Sequence, residues 1–228
     1  MRAATQEPTQ RLRLLKGFVI DDRLSALRRE PKIESMVIRR VRLAQPVYII
    51  ANSQSKIGLP IFCRVAVTRR TRGWIHRAAL ALPGRAGEER RILTRVEESS
   101  DSVDKISLCR IIIENFGRST LVPRAMLLLG EEAERVAKTL SQRTRRRLAE
   151  LHSSEVSQRD YYLSDAGLDR YSRLGIAFDF IESTGEFVYD GKAYREIVRR
   201  FPDREEARLA RQHLGLAGRK PADNSDNH

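Results

Sequence analysis

The feature that most restricts the fold is a change of hydrophobic period at residues 82–91, LPGRAGEERR. Upstream of it, short apolar runs alternate with turn residues: GFVI, SALR, SMVIRRV, PVYIIA, IFCRVAVT and GWIHRAAL. β-Branched and aromatic side chains dominate these runs, as they do in strands. Downstream, apolar residues recur every three or four positions, as in helices. A proline, two glycines and then charges make the stretch between them a linker. The chain therefore reads as α+β: a β-rich domain over 17–83 and a helical region over 100–216. Residues 1–16 and 217–228 are polar and read as flexible tails.

Within the β-rich part, VIRRVRL alternates loosely, as a half-buried strand does. PVYIIA and IFCRVAV are continuous apolar runs, as in a barrel wall, and NSQSKIG between them is a polar turn. The formal net charge is +13 over 228 residues. Its distribution is uneven: residues 17–83 carry 13 Lys+Arg against 4 Asp+Glu, whereas residues 162–228 carry 11 against 12. The basic excess belongs to the first third and suits an anionic partner. Solubility combined with a general preference for arginine over lysine gives the same excess, so both readings stand.

In the helical part, SVDKISLCRIIIENF places Ile106, Cys109, Ile113 and Phe116 at helical spacing. The next run, VPRAMLLLGEEAERVAKTLSQRTRRRLAEL, carries Ala125, Leu129, Ala133, Val136, Ala137 and Leu140 on one face, with Pro123 suited to the first turn. Glu131, Glu132 and Glu134 precede Arg143, Arg145, Arg146 and Arg147, an order that complements the helix dipole and makes RTRRR a solvated helix end. IAFDF and EFVYD read as a short β-hairpin near 175–190. DGKAYREIVRRF is helical again, with Tyr194, Ile197, Val198 and Phe201 as its stripe. PDREEARLARQHLGL opens on a D-x-x-E capping box, Asp203 to Glu206, and stops at Gly215.

These helices repeat. At an offset of 85 residues Ile112 matches Ile197, Ile113 corresponds to Val198, and Phe116 matches Phe201. Ala125 then matches Ala210, and Leu129-Gly130 matches Leu214-Gly215. The shared pattern describes a helix ending on a buried Phe, a short turn, and a second helix with a small residue at the crossing. It resembles the tetratricopeptide-type repeats of bacterial envelope lipoproteins and assembly factors, most closely over YREIVRRFPDREEARLARQHL. The 85-residue offset is no multiple of the usual period of about 34, so the expectation is two divergent helical hairpins rather than an array.

Residues 68–80, TRRTRGWIHRAAL, set Arg69, Arg70 and Arg72 against the chain's single tryptophan, Trp74. Their surroundings resemble bacterial SH3-like (SH3b) domains. Leu24-Ser25 and Leu27-Arg28 stand in that family's first strand, Pro31 at the turn, and Val37-Ile38 and Val41 in the next. Val47–Ile50 and Phe62–Val65 continue the pattern, and Gly73-Trp74-Ile75 with Leu80 closes it. Gln45-Pro46 replaces the family's glycine before the third strand, and Phe62 replaces a tryptophan. The Ala-Leu-Tyr-Asp-Tyr element of polyproline binders is absent. The resemblance implies a small SH3-like β-barrel. Trp74 then either packs in the barrel or lines a ligand groove. Arg69, Arg70 and Arg72 project from a turn at one edge, where arginine can hold carboxylate or phosphate and stack on an aromatic face. His76 shares a face with Trp74 by alternation, and Tyr48 completes the set of ligand-binding candidates.

Catalytic signatures are missing. Cys63 and Cys109 sit among apolar residues, without a neighbouring histidine base or a metal-ligand spacing. No G-x-S-x-G, H-E-x-x-H, phosphate-binding loop or dinucleotide loop occurs. No cofactor or metal is expected. No apolar run reaches the roughly 18–20 residues of a membrane span. The resulting expectation is a non-enzymatic binding or scaffold protein of the bacterial cell envelope, periplasmic or envelope-associated. Its barrel would hold peptidoglycan, another anionic polymer or a peptide, and its helices a protein partner. The alternative is a cytoplasmic nucleic-acid-binding protein that uses the basic first third.

Overall fold

The computed structural model describes residues 15–53, 61–150, 167–181 and 183–215, except for the side chains of 147–150. The chain forms two compact units, 1–85 and 86–228. It is α+β, as the change of period predicts. Both tails lie largely outside the described residues, as does most of the NSQSKIG turn. Leu15 and Lys16, read as tail, belong to the first strand.

The first unit is an antiparallel sheet of seven strands: β1 (Leu15–Val19), β2 (Ala26–Arg28), β3 (Val37–Arg40), β4 (Pro46–Asn52), β5 (Phe62–Ala66), β6 (Arg72–His76) and β7 (Leu80–Ala81). Their hydrogen-bonded order is β3-β2-β6-β5-β4-β1-β7. Strands β4 to β6 form a meander, and the β2–β3 hairpin joins it through the single pair Arg28–Trp74. One face is the core, built from Val19, Leu27, Val47, Val65, Ile75 and Leu80. Gly73 lets β2 close on β6: a Cβ there would lie 2.7 Å from the Arg28 carbonyl oxygen and 2.8 Å from Leu27 Cγ.

Three expectations for this sheet change. VIRR is not half-buried; all four residues of β3 are exposed, because β3 is an edge strand and its register against β2 shifts at Leu27/Arg28. PVYIIA is not a buried wall, since only Val47 of β4 is buried. GWIHRAAL is not one strand. It breaks at a 3-10 turn, Arg77–Ala79, before resuming as β7.

The second unit contains α1 (Glu88–Glu98), α2 (Ser102–Asn115), α3 (Val122–Glu150), α4 (Asp169–Ser172), the hairpin β8 (Phe178–Ile181) and β9 (Glu186–Tyr189), α5 (Lys192–Arg200) and α6 (Glu205–His213). Helix α1 begins inside the stretch read as a linker and buries Ile92 and Val96. Helix α3 is central: α2, β9, α5 and α6 all pack on it. Its expected face is buried throughout, from Ala125 to Leu140.

The repeat is geometric as well as sequential. Phe116 ends α2 with its N–H on the Ile112 carbonyl, and Phe201 ends α5 with its N–H on the Ile197 carbonyl. In the first turn Ser119 N donates to Phe116 O and Val122 N to Ser119 O. Arg204 N to Phe201 O and Ala207 N to Arg204 O repeat these bonds 85 residues on. The copies part at the shared glycine. Gly130 continues α3 beneath the Tyr194 ring, where a Cβ would lie 2.5 Å from Cε1, whereas Gly215 is left-handed (φ 65°) and lies beyond the end of α6. The Asp203–Glu206 capping box does not form: Arg204 is the N-cap of α6, and no side chain caps it.

Candidate ligand-binding face

Strand β6 turns Gly73 and Ile75 into the core and Arg72, Trp74 and His76 outward. Trp74 is half-buried, between the two expectations for it. The register puts Arg64 of β5 opposite Trp74 on one side and Arg28 of β2 opposite it on the other. Directly opposed residues of an antiparallel pair have Cβ atoms roughly 4.5–5.5 Å apart. The indole thus stands in a row between two arginine positions of neighbouring strands.

A neighbouring row joins Tyr48 of β4, Ala66 of β5 and Arg72 of β6, with Lys16 of β1 beyond Tyr48. Ala66 is the small member, and Tyr48 is 45% exposed. Arg69 and Arg70 are exposed in the β5–β6 turn, where Thr68 Oγ1 accepts the N–H groups of Arg70 (3.3 Å) and Thr71 (3.0 Å). The structure therefore brings Tyr48, Arg72 and Trp74 onto one face and sets Arg69 and Arg70 at the end of its central hairpin.

His76 shares the face but has structural duties. Its Nδ1 accepts the Ala78 N–H at 3.2 Å, which caps the 3-10 turn and leaves the ring proton on Nε2. Its ring also meets Phe62 edge-on, with centroids 5.4 Å apart.

The electrostatics of this face are one-sided. The four carboxylates of residues 17–83 are Asp21, Asp22, Glu30 and Glu34, so β4, β5 and β6 carry none. Asp21 is held by Arg23 at 3.1 Å and Glu30 by Lys32 at 3.6 Å. Arg28 donates to the Ser35 carbonyl at 2.8 Å. The side chains of Arg64, Arg69, Arg70 and Arg72 form no hydrogen bond or ion pair with a described residue.

Sequence reasoning missed Arg28, Arg64 and Lys16. Arg64 left a signal, as the one charged residue inside an apolar strand. Arg28 and Lys16 left none, since only the strand register brings them to Trp74 and Tyr48.

Neither cysteine forms a disulfide, and both are buried. Cys63 Sγ donates to Asn52 Oδ1 at 3.3 Å. Burial pushes the Cys109 thiol up to about 12, so it stays protonated at neutral pH. In the helical unit Glu134 bonds His213 Nδ1 at 3.0 Å, and His213 stacks on Tyr194 with centroids 4.5 Å apart. This cluster ties α6 to α3 and α5. Among the described residues no group of His, Cys, Asp and Glu could hold a metal ion, and no helix is long and apolar enough to cross a membrane. The chain matches no known protein family, no curated protein and no solved structure.

Proposed function

We propose that the chain is a non-enzymatic binding protein whose first unit captures an anionic polymer on the outer face of its sheet. The observation that carries this reading is Trp74 standing between Arg28 and Arg64 on a face without carboxylates. A half-buried indole offers a flat apolar surface to a sugar or base ring. Flanking guanidinium groups supply bidentate donors for carboxylate or phosphate.

The SH3-like reading gains support from two features. Gly73-Trp74-Ile75 and Leu80 fall in the closing strands β6 and β7. The left-handed Ala44 (φ 59°) immediately precedes Gln45-Pro46, where the resembled pattern places a glycine. The doubled helix-turn-helix geometry supports a protein-interaction role for the second unit, and with it a scaffold of the cell envelope.

The test is retention of the full chain on peptidoglycan sacculi, heparin and duplex DNA at low and moderate salt, beside Arg64→Ala/Trp74→Ala. The expected result is sacculus binding that persists at moderate salt and is lost in the variant. Equal binding by the variant overturns the site. Binding to heparin and DNA alone favours a nucleic-acid role; affinity for the duplex would then fall by about 0.9 log unit per log unit of salt for each phosphate neutralised.

A further inference from the structure

The residues just beyond Trp74 combine two surface features that rarely coincide. Arg28 pairs antiparallel with Trp74, so the chain leaving β2 runs toward Arg72. The β2–β3 loop and the β5–β6 turn therefore leave the β2–β6 pair at the same end. The turn contributes Arg69, Arg70 and Arg72. The loop contributes exposed apolar side chains: Ile33 is 64% exposed and Met36 55%, followed by Val37 at 45% and Ile38 at 43% as β3 begins.

Single exposed apolar residues are ordinary on protein surfaces. Four within six positions, beside a basic turn, are more than scattered single residues and call for an occupant. The loop is also braced in its shape. Ser35 O accepts from Arg28 at 2.8 Å, Ser35 Oγ accepts the Glu30 N–H at 2.9 Å, and Ser35 N donates to Lys32 O at 3.3 Å. Ile33 and Met36 are held outward rather than collapsed onto the sheet.

Strand addition by another chain is a poor match for this edge. Strand β3 is four residues long, has a shifted register and carries Arg39 and Arg40, the features that blunt an edge. A globular acidic partner would answer the arginines but leaves no reason for an apolar crest. An anionic bilayer answers both. Its headgroups take the guanidinium groups, and the interfacial region takes short apolar side chains. Glu30 and Glu34 lie in the same loop and oppose this attraction. They are outnumbered by Arg29, Lys32, Arg69, Arg70 and Arg72.

We propose that this end of the β unit docks peripherally on an anionic lipid bilayer, with Ile33 and Met36 in the interface and Arg69, Arg70 and Arg72 on the headgroup phosphates. The inference rests on the anion-binding reading of those three arginines, but not on what Trp74 binds.

The experiment is co-sedimentation of the full chain with vesicles of phosphatidylglycerol and phosphatidylcholine, with vesicles of phosphatidylcholine alone, and with heparin-agarose as a lipid-free polyanion. Wild type is compared with Ile33→Ser/Met36→Ser and Arg69→Ala/Arg70→Ala. All four side chains are exposed, and emission from the single tryptophan reports whether each variant keeps its fold.

Wild type is expected on the anionic vesicles and not on neutral ones. The arginine variant should bind about 25-fold more weakly, at roughly 1 kcal/mol, or fivefold, per basic residue near the surface. The apolar variant should lose about tenfold on vesicles and nothing on heparin. Apolar-variant binding equal to wild type on vesicles overturns the proposal, as does absent or headgroup-independent binding by wild type. Failure of the polymer-binding reading looks different: wild type then leaves sacculi and heparin unbound whatever the vesicles show.

Discussion

The arginines of the two units live differently. Several arginines of the helical unit have partners one turn away: Arg95 with Glu98, Arg110 with Glu114, Arg199 with Glu196 and Arg208 with Glu205. Helix geometry makes this easy, because positions three and four apart share a face. A sheet offers no such local solution, since the neighbour of a strand residue sits on another strand. Strands β4 to β6 contain no carboxylate to serve as that neighbour. Arg64, Arg69, Arg70 and Arg72 thus leave a field with no counter-charge from a described residue of the sheet. Surface pairs contribute little to stability in either unit. The contrast is therefore one of surface charge: the helices pair several of their arginines locally, and the central strands of the sheet pair none of theirs with a described residue.

The sharpest way to break the contrast is to detach β2 from β6. Gly73→Ala drives a methyl against the Arg28 carbonyl, which is backbone and cannot rotate away. The expected cost is about 2–3 kcal/mol, read by chemical denaturation, together with loss of amide-exchange protection in β2 and of ligand binding at Trp74. Gly130→Ala in α3 presses instead on the Tyr194 ring, a side chain, and regains about 1 kcal/mol of helix propensity. Its net penalty should be the smaller of the two. The opposite ranking would mean that β2 is not anchored through Gly73.

A second effect lies in the helical unit. Burial raises Cys109 from 9.0 to about 12 and, mainly through the same cause, Tyr189 from 10.0 to about 12. In both the folded state favours the protonated form, so the unfolded chain releases the proton first as pH rises. Their contribution is complete below about pH 9 and is lost progressively between 9 and 12. Denaturation midpoints followed at the helical unit should fall over that window. Cys109→Ala should delay the onset until the tyrosine titrates. A flat profile would show that Cys109 is hydrated.

A smaller effect lies in the β unit. Ala44 holds φ at 59°, a conformation costing a residue with a Cβ about 1–2 kcal/mol. Ala44→Gly should gain on the order of 1 kcal/mol, offset in part by the greater freedom of glycine in the unfolded chain. A loss would mean that the Ala44 methyl makes contacts worth more than the strain.

Legibility followed the range of the interactions. Helices α2 and α3 and the β8–β9 hairpin could be read because their signals are local, and the repeated helix-turn-helix because both copies keep Phe, Ala and Gly at the same steps. Helix α1 was hidden by the Pro-Gly-Gly stretch before it, although Ile92 and Val96 stand four apart above an acidic first turn. On the candidate face Arg69, Arg70, Arg72 and Trp74 are neighbours in sequence and can be read together. Arg28 and Arg64 cannot, because a one-residue slip of register would move either of them off the row of Trp74. The capping bond of His76 to the Ala78 N–H could not be read, since a bond two residues ahead leaves no periodic trace.

The finest test returns to the arginines. If Arg69 and Arg70 only repel one another and their neighbours, Arg69→Ala/Arg70→Ala should raise the stability of the β unit by a few tenths of a kcal/mol at low salt. The gain should shrink as salt screens the repulsion over a Debye length of about 10 Å or less. Arg208→Ala, which removes one side of an exposed helical pair, should leave the helical unit unchanged at either salt. Amide exchange resolved by unit separates the two responses. A low-salt gain in the β unit alone would show that its basic edge opposes folding without a ligand, as a surface built for an external anion must. Loss of stability in the arginine variant would place those side chains among the contacts that hold the turn, and the anion-binding role would pass to Arg64 and Arg72.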